Sequence, residues 1–75
     1  MSRPVGSKNR MRRVNPKAIE ELRESRGFTQ EDFGATVGRT RSAVCQWERG
    51  QTSPQPQTLR AIVREFGVEL ESLFL

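Results

Sequence analysis

Apolar residues repeat with helical spacing in several segments of the chain, and polar or glycine-containing stretches separate these segments. The clearest stripe consists of Leu59, Ile62, Val63 and Phe66, which occupy positions i, i+3, i+4 and i+7 of one helix. Shorter stripes precede it, formed by Ala18, Ile19 and Leu22, by Phe33 and Val37, and by Ala43, Val44 and Trp47. No alternation of apolar and polar residues indicates a strand. The pattern predicts an all-α domain.

Capping residues set the expected helix boundaries. Asn15 and Pro16 are typical of the N-cap and first position of a helix, which we expect to run to about Arg26. Thr29 and Thr40 are good N-caps for a second and a third helix. Pro56 suits the first turn of a fourth helix. The glycines placed to end these four helices are Gly27, Gly38, Gly50 and Gly67, and we expect Gly38 to do so in a left-handed conformation. We expect a short fifth helix in residues 68–75, with Leu70, Leu73 and Phe74 on its apolar side.

The second and third helices are short and joined by a tight turn, which is the helix-turn-helix arrangement. When residues 41–49 are wound at about 100° per residue, Ala43, Val44 and Trp47 fall on one side. The opposite arc contains Arg41, Ser42, Cys45, Gln46 and Arg49. Arg can pair with guanine, Gln with adenine and Ser with either base in the DNA major groove. We therefore expect the third helix to read DNA; the alternative is a polar face that is merely solvated.

Positive charge is concentrated at the N-terminus. Residues 1–15 contain five basic residues and no acid: Arg3, Lys8, Arg10, Arg12 and Arg13. The other 8 Lys and Arg stand against 9 Asp and Glu, so residues 16–75 carry a net charge of −1. We predict a disordered basic arm at 1–15, which contacts DNA phosphates, and a DNA-binding domain at 16–75. A solubilising tail or the remnant of an expression tag is the alternative for the arm.

Several classes of chemistry lack the residues that they need. The sequence has no His, no Tyr and one Cys, which excludes Ser-His-Asp and Cys-His catalysis and Cys/His zinc sites within it. No Gly-rich phosphate loop is present. We therefore expect no enzymatic activity, no cofactor and no bound metal. A lone Cys, no membrane-spanning run and no signal-peptide pattern favour the cytoplasm.

The chain resembles the Cro/C1-type (XRE-family) helix-turn-helix domains of lambdoid phage repressors and small bacterial regulators. The resemblance extends from about Leu22 to Leu73. It rests on L-R-E-S-R-G-F-T-Q-E-D-F at 22–33, V-G-R-T-R-S-A-V-C-Q-W-E-R-G at 37–50 and L-R-A-I-V-R-E-F-G-V at 59–68. Gly34 replaces an alanine common in the family, and we expect it to loosen the second helix. Trp47 replaces a smaller Leu or Ile.

The resemblance implies a role for individual residues. Base-reading positions are matched by Arg41, Ser42 and Gln46, and Cys45 lies on the same arc. Positions that contact the DNA backbone are matched by Thr29, Gln30, Arg39, Arg49, Gln51, Thr52 and Ser53. Gln30 also resembles the residue that buttresses the recognition helix. Arg23 and Glu48 match a family ion pair between the first and third helices.

The most specific interpretation is a sequence-specific transcriptional regulator of double-stranded DNA. The family implies a repressor that binds a pseudo-palindromic operator as a homodimer, and residues 68–75 are the expected contact. A bacterial or phage origin and association with the nucleoid would follow. One alternative is an antitoxin that also binds a protein partner. Another is a non-specific architectural or RNA-binding protein that binds mainly through its basic arm.

Overall fold

Helices account for most of residues 13–75, the part of the chain that the computed structural model describes. The four α-helices of this part are α1 (Pro16–Ser25), α2 (Gln30–Thr36), α3 (Arg41–Glu48) and α4 (Pro56–Phe66), and a 3-10 helix (Leu70–Leu73) follows them. The predicted all-α class is confirmed. The predictions for Arg3, Lys8, Arg10 and Arg12 lie outside the described residues.

Side-chain caps begin three of the helices where the sequence places them. The hydroxyl of Thr29 accepts a hydrogen bond from the Asp32 amide at 3.0 Å. That of Thr40 accepts from the Ala43 amide at 3.1 Å. Asn15 caps α1 in the same way through its side-chain oxygen. Each cap satisfies an amide that has no partner within its own helix, and this typically contributes about 1 kcal/mol.

One hydrophobic core joins all four α-helices. Its largest fully buried side chains are Phe33, Ile19, Ile62, Leu73 and Val44. The ring of Phe66 stacks on Phe33 with the centroids 4.8 Å apart. Phe28 meets the edge of Phe66 at 5.2 Å. Ala18 and Leu22, which we expected to be buried with Ile19, are only half-buried. The contacts among these three aromatic rings therefore connect α2 to α4 within the core.

The two ends of the described chain are paired. Val14 forms an isolated antiparallel bridge with Phe74. The Asn15 amide donates to the carbonyl of Leu73 at 2.8 Å, and the Leu75 amide donates to the carbonyl of Arg13 at 2.9 Å. Residues 13–15, which we expected to belong to the arm, are thus hydrogen-bonded to the domain.

The expected fifth helix is only a four-residue 3-10 helix. Leu73 is buried within it, whereas Leu70, expected on the apolar side, is 45% exposed. After Leu73 the backbone of Phe74 becomes extended, with φ −107° and ψ 155°. An extended backbone is what the hydrogen bonds to residues 13–15 require, because a continuing helix would turn these groups away.

Candidate nucleic-acid interface

The third helix, α3, is held in place by side chains of its inner face that pack into the core. Val44 is fully buried and Trp47 is 4% exposed, so Trp47 lies in the core as its helical position predicts. An isolated helix of eight residues is unstable in water, so this packing is what maintains α3. The opposite face is thereby held towards solvent.

The turn between α2 and α3 is unusually close-packed. The Arg39 amide donates to the Gly34 carbonyl at 2.7 Å. A β-carbon at Gly34 would lie 2.8 Å from the Arg39 carbonyl oxygen and 2.9 Å from that of Thr40. Gly34 therefore allows the two helices to approach each other. The expectation that it merely loosens α2 is incomplete, because the missing side chain also makes room for the start of α3.

The outward face of α3 presents unpaired polar groups. Arg41, Ser42 and Gln46 are exposed, and Cys45 is half-buried with a free thiol. None of these four side chains makes a hydrogen bond or an ion pair within residues 13–75. Their donors and acceptors are therefore available to a ligand. The structure brings the four predicted base-reading residues together on one exposed surface.

The predicted backbone-contacting residues precede and follow α3 in the chain. Thr29 and Arg39 are exposed before α3, while the exposed residues that follow it are Arg49, Gln51, Thr52 and Ser53. Gln30 differs from them because it is half-buried. Its side-chain amide donates to Oε1 of Glu48 at 2.9 Å. Gln30 thus connects the start of α2 to the end of α3.

A partly buried ion pair joins α1 to α3. Nε of Arg23 lies 2.7 Å from Oε2 of Glu48, and the side chains are 13% and 7% exposed. A second guanidinium nitrogen donates to Oε1 of Glu48 at 3.2 Å. The remaining one donates to the carbonyl of Phe28 at 2.9 Å. The hydrogen bond to Glu48 raises the pKa of Arg23, and this effect exceeds the opposing effect of burial.

This network holds α3 against both preceding helices. Glu48 is the last residue of α3 and accepts hydrogen bonds from Arg23 of α1 and from Gln30 of α2. The family resemblance pointed to the Arg23–Glu48 pair, and the two residues are indeed in contact. The bond to the Phe28 carbonyl had no signal in the sequence, because a backbone carbonyl looks the same at every position.

A groove lies beside the C-terminal end of α3 and was not foreseen from the sequence. Its volume is about 520 Å³. Its walls are formed by Arg13, Val14, Pro16, Trp47, Gly50, Thr52, Ser53 and Leu75. A β-carbon at Gly50 would lie 3.6 Å from Cγ of Pro16, so the start of α1 lies against the turn that ends α3. Arg13 and two predicted DNA-contacting residues, Thr52 and Ser53, thus line the same groove.

Residues 13–75 contain neither a metal-binding cluster nor a membrane-spanning helix. No group of His, Cys, Asp or Glu there is arranged to hold a metal ion. No helix there is both long and apolar enough to cross a membrane.

Known proteins with similar sequences contain the same motif. A family model described as helix-turn-helix matches residues 19–73. An uncharacterized HTH-type transcriptional regulator of Bacillus subtilis, YgzD, is 36% identical over 56 residues, covering 75% of this chain and 85% of that protein. The HTH-type transcriptional activator BcrR of Enterococcus faecalis is 29% identical over 55 residues, covering 73% of this chain but 27% of BcrR.

Solved structures that share this fold include a controller protein and a repressor. The restriction-modification controller protein C.AhdI of Aeromonas hydrophila superposes with a TM-score of 0.71 and 29% identity, covering 79% of this chain and 89% of that one. The P22 c2 repressor, in complex with synthetic operator 9T, gives a TM-score of 0.74 with 26% identity, covering 81% and 92%. The chain therefore belongs to the helix-turn-helix family of DNA-binding transcription regulators, in its Cro/C1 type.

Proposed function

We propose that this protein binds double-stranded DNA sequence-specifically and represses transcription as a dimer on a pseudo-palindromic operator. The observation that carries the proposal is the outward face of α3. Its polar side chains Arg41, Ser42 and Gln46 are exposed and make no hydrogen bond or ion pair within residues 13–75, while the inner face of the same helix is buried in the core. An exposed helix of this kind fits the major groove of B-DNA, which is about 12 Å wide.

The residue types on this face determine what it can recognise. Arg41 can donate two hydrogen bonds to O6 and N7 of a guanine, and Gln46 can bond N6 and N7 of an adenine. Ser42 can bond either base. Arg41 and Ser42 are the first two residues of α3, and the N-terminal part of a recognition helix is the part that reaches the base edges. These residues are the proposed source of sequence preference.

Residues that precede and follow α3 in the chain are the proposed contacts to the DNA backbone. Thr29 and Arg39 precede the helix, and Arg49 and residues 51–53 follow it. Contacts on both sides fix the register of a recognition helix on the duplex without reading sequence. Gln30 would act indirectly, because its amide is bonded to Glu48.

Dimer formation is proposed to use the C-terminal segment. Leu70 is 45% exposed and Leu75 is 71% exposed, and both lie in or beside the 3-10 helix. A second copy would bury this apolar surface. Two copies related by a two-fold axis would place their recognition helices on half-sites about 34–36 Å apart. Similarity to a repressor solved with a synthetic operator supports binding of this chain to an operator.

Selection of bound duplexes from a random pool tests the proposal. We expect the purified protein to enrich a two-fold symmetric sequence and to bind it about 10³-fold or more tightly than a scrambled duplex. Arg41→Ala should weaken binding to the selected duplex by about 1–3 kcal/mol and relax preference at one base pair of each half-site.

Arg60→Ala is the matched control, because Arg60 is exposed on α4 and does not belong to the α3 surface. It should leave the enriched sequence unchanged. Equal affinity for selected and scrambled duplexes would refute sequence-specific binding. Sedimentation that shows one protein on each selected duplex would refute the dimer.

A further inference from the structure

We infer that Arg13, Thr52 and Ser53 together form a single binding site for one phosphodiester of the DNA backbone, at the C-terminal end of α3. This inference rests on the proposed function and adds to it. From the sequence, Arg13 belongs to a flexible arm and residues 52–53 belong to a separate loop. The structure instead places all three on the walls of one groove.

The groups that line the groove are suited to an anion. Arg13 contributes a guanidinium, and Thr52 and Ser53 contribute two hydroxyls. All three residues are exposed, and their side chains make no hydrogen bond or ion pair within residues 13–75. A phosphate oxygen accepts strong hydrogen bonds from a guanidinium, and the planar fork can donate two at once.

The site is held in place before any ligand binds. The backbone of Arg13 accepts a hydrogen bond from Leu75, and the amide of Asn15 donates to Leu73. Pro16 lies against Gly50 at the turn that ends α3. The backbone of Arg13 is therefore held in place at the groove. A preorganised site of this kind loses less conformational entropy on binding than the same groups on a flexible segment.

The position of the groove favours DNA as the source of the phosphate. Its lining includes Thr52 and Ser53 of the loop that follows α3, and these are two of the proposed contacts to the DNA backbone. Its apolar wall at Val14 and Pro16 fits the deoxyribose that adjoins each phosphate. A duplex that holds α3 in its major groove would bring a DNA strand close to the C-terminal end of α3.

A double-mutant cycle on the full-length protein tests whether the groups share one phosphate. We would measure the dissociation constant for the selected duplex by fluorescence anisotropy at several salt concentrations. Arg13→Gln should weaken binding roughly 10-fold, and Ser53→Ala roughly 3-fold, as expected for charged and neutral hydrogen bonds. Because both bind the same phosphate, the double variant should lose clearly less than about 30-fold, the product of the two effects.

The salt dependence separates a direct contact from general charge. Loss of one phosphate contact in Arg13→Gln should flatten the log–log salt slope by about 0.9 per protomer, whereas Ser53→Ala should leave it unchanged. Arg60→Gln removes the same charge from α4 and should change affinity less than about 2-fold. The effect of Arg13→Gln should persist in a full-length variant with Arg3, Lys8, Arg10 and Arg12 changed to Gln.

Three results would overturn the inference while leaving the proposed function intact. The first is a double variant whose loss of affinity equals the product of the two single losses. The second is an equal loss of affinity in Arg13→Gln and Arg60→Gln. The third is that Arg13→Gln no longer weakens binding when Arg3, Lys8, Arg10 and Arg12 are already changed to Gln. Thr52→Val repeats the cycle with the second hydroxyl. Both Arg13 and Ser53 are exposed, so the urea midpoint of each variant should match that of the parent. Failure of the parent itself to prefer the selected duplex would instead refute the proposed function.

Discussion

Removal of Arg23 should be the most destabilising change to the network that holds α3. In Arg23→Ala, the Glu48 carboxylate, which is 7% exposed in the parent, would keep the Gln30 amide as its one side-chain partner among residues 13–75. Breaking a buried ion pair from one side typically costs about 3–5 kcal/mol. A domain of this size has a total stability of only about 3–9 kcal/mol, from roughly 0.05–0.15 kcal/mol per residue. Arg23→Ala should therefore lose a large share of its folding free energy and unfold at a much lower urea concentration than the parent.

Removal of Glu48 should cost less, because Arg23 keeps other partners. Its guanidinium would still donate to the Phe28 carbonyl at 2.9 Å. It would also remain 3.6 Å from the exposed carboxylate of Glu24. We expect a loss of about 2–3 kcal/mol for Glu48→Ala, in the range of a hydrogen bond to a charged group. The double variant should be more stable than the sum of the single losses predicts, by about 0.5–3 kcal/mol.

Urea unfolding, followed by tryptophan fluorescence, measures these differences. Trp47 is the one Trp of the chain and is buried, so its emission reports loss of the core. Arg64→Ala provides the matched control, because Arg64 pairs with Glu65 at 3.5 Å with both side chains exposed. That change should cost less than about 1 kcal/mol. Additive effects of Arg23→Ala and Glu48→Ala, or a larger loss for Arg64→Ala, would refute this reasoning.

Three further changes test other parts of the structure. Trp47→Ala should cost about 3–5 kcal/mol and unfold the domain, because it removes a buried ring; a stable variant that lost only DNA affinity would show that α3 is rotated differently. Gly34→Ala gains about 0.5–1 kcal/mol of helix propensity but should lose about 1–3 kcal/mol to overpacking against the Arg39 carbonyl. Its thermal unfolding midpoint should therefore fall, and a rise would contradict the close packing. Alkylation of Cys45 should block DNA binding, and unchanged affinity after complete modification would remove Cys45 from the interface.

Local signals in the sequence were sufficient to locate the α-helices. Asn15, Thr29 and Thr40 begin helices where their side chains can accept a backbone hydrogen bond, and these bonds are present. Gly38 and Gly67 adopt φ values of 77° and 66°, as the ends of helices require. Such signals act within a few residues, so a sequence shows them directly.

Contacts between distant parts of the chain were harder to predict. The pairing of Val14 with Phe74 joins residues that are far apart, and neither lies in a strand-like pattern. This pairing is also why the C-terminal segment does not form a regular fifth helix. Gly34 shows the same limit, since helix propensity describes only its own backbone, whereas the cost of a side chain there depends on Arg39 and Thr40. The groove beside α3 requires three separate segments and had no local signal.

The architecture separates the stability of α3 from the chemistry of its exposed face. Val44 and Trp47 hold the helix along its inner side, and Glu48 holds its end through Arg23 and Gln30. Arg41, Ser42 and Gln46 take no part in these contacts, and substitutions at exposed positions of this kind usually change stability by less than about 0.5 kcal/mol. Variants of these three residues should therefore unfold at the same urea concentration as the parent while enriching different sequences in selection. A shift in the unfolding midpoint that follows the shift in sequence preference would show that the proposed reading surface also supports the fold.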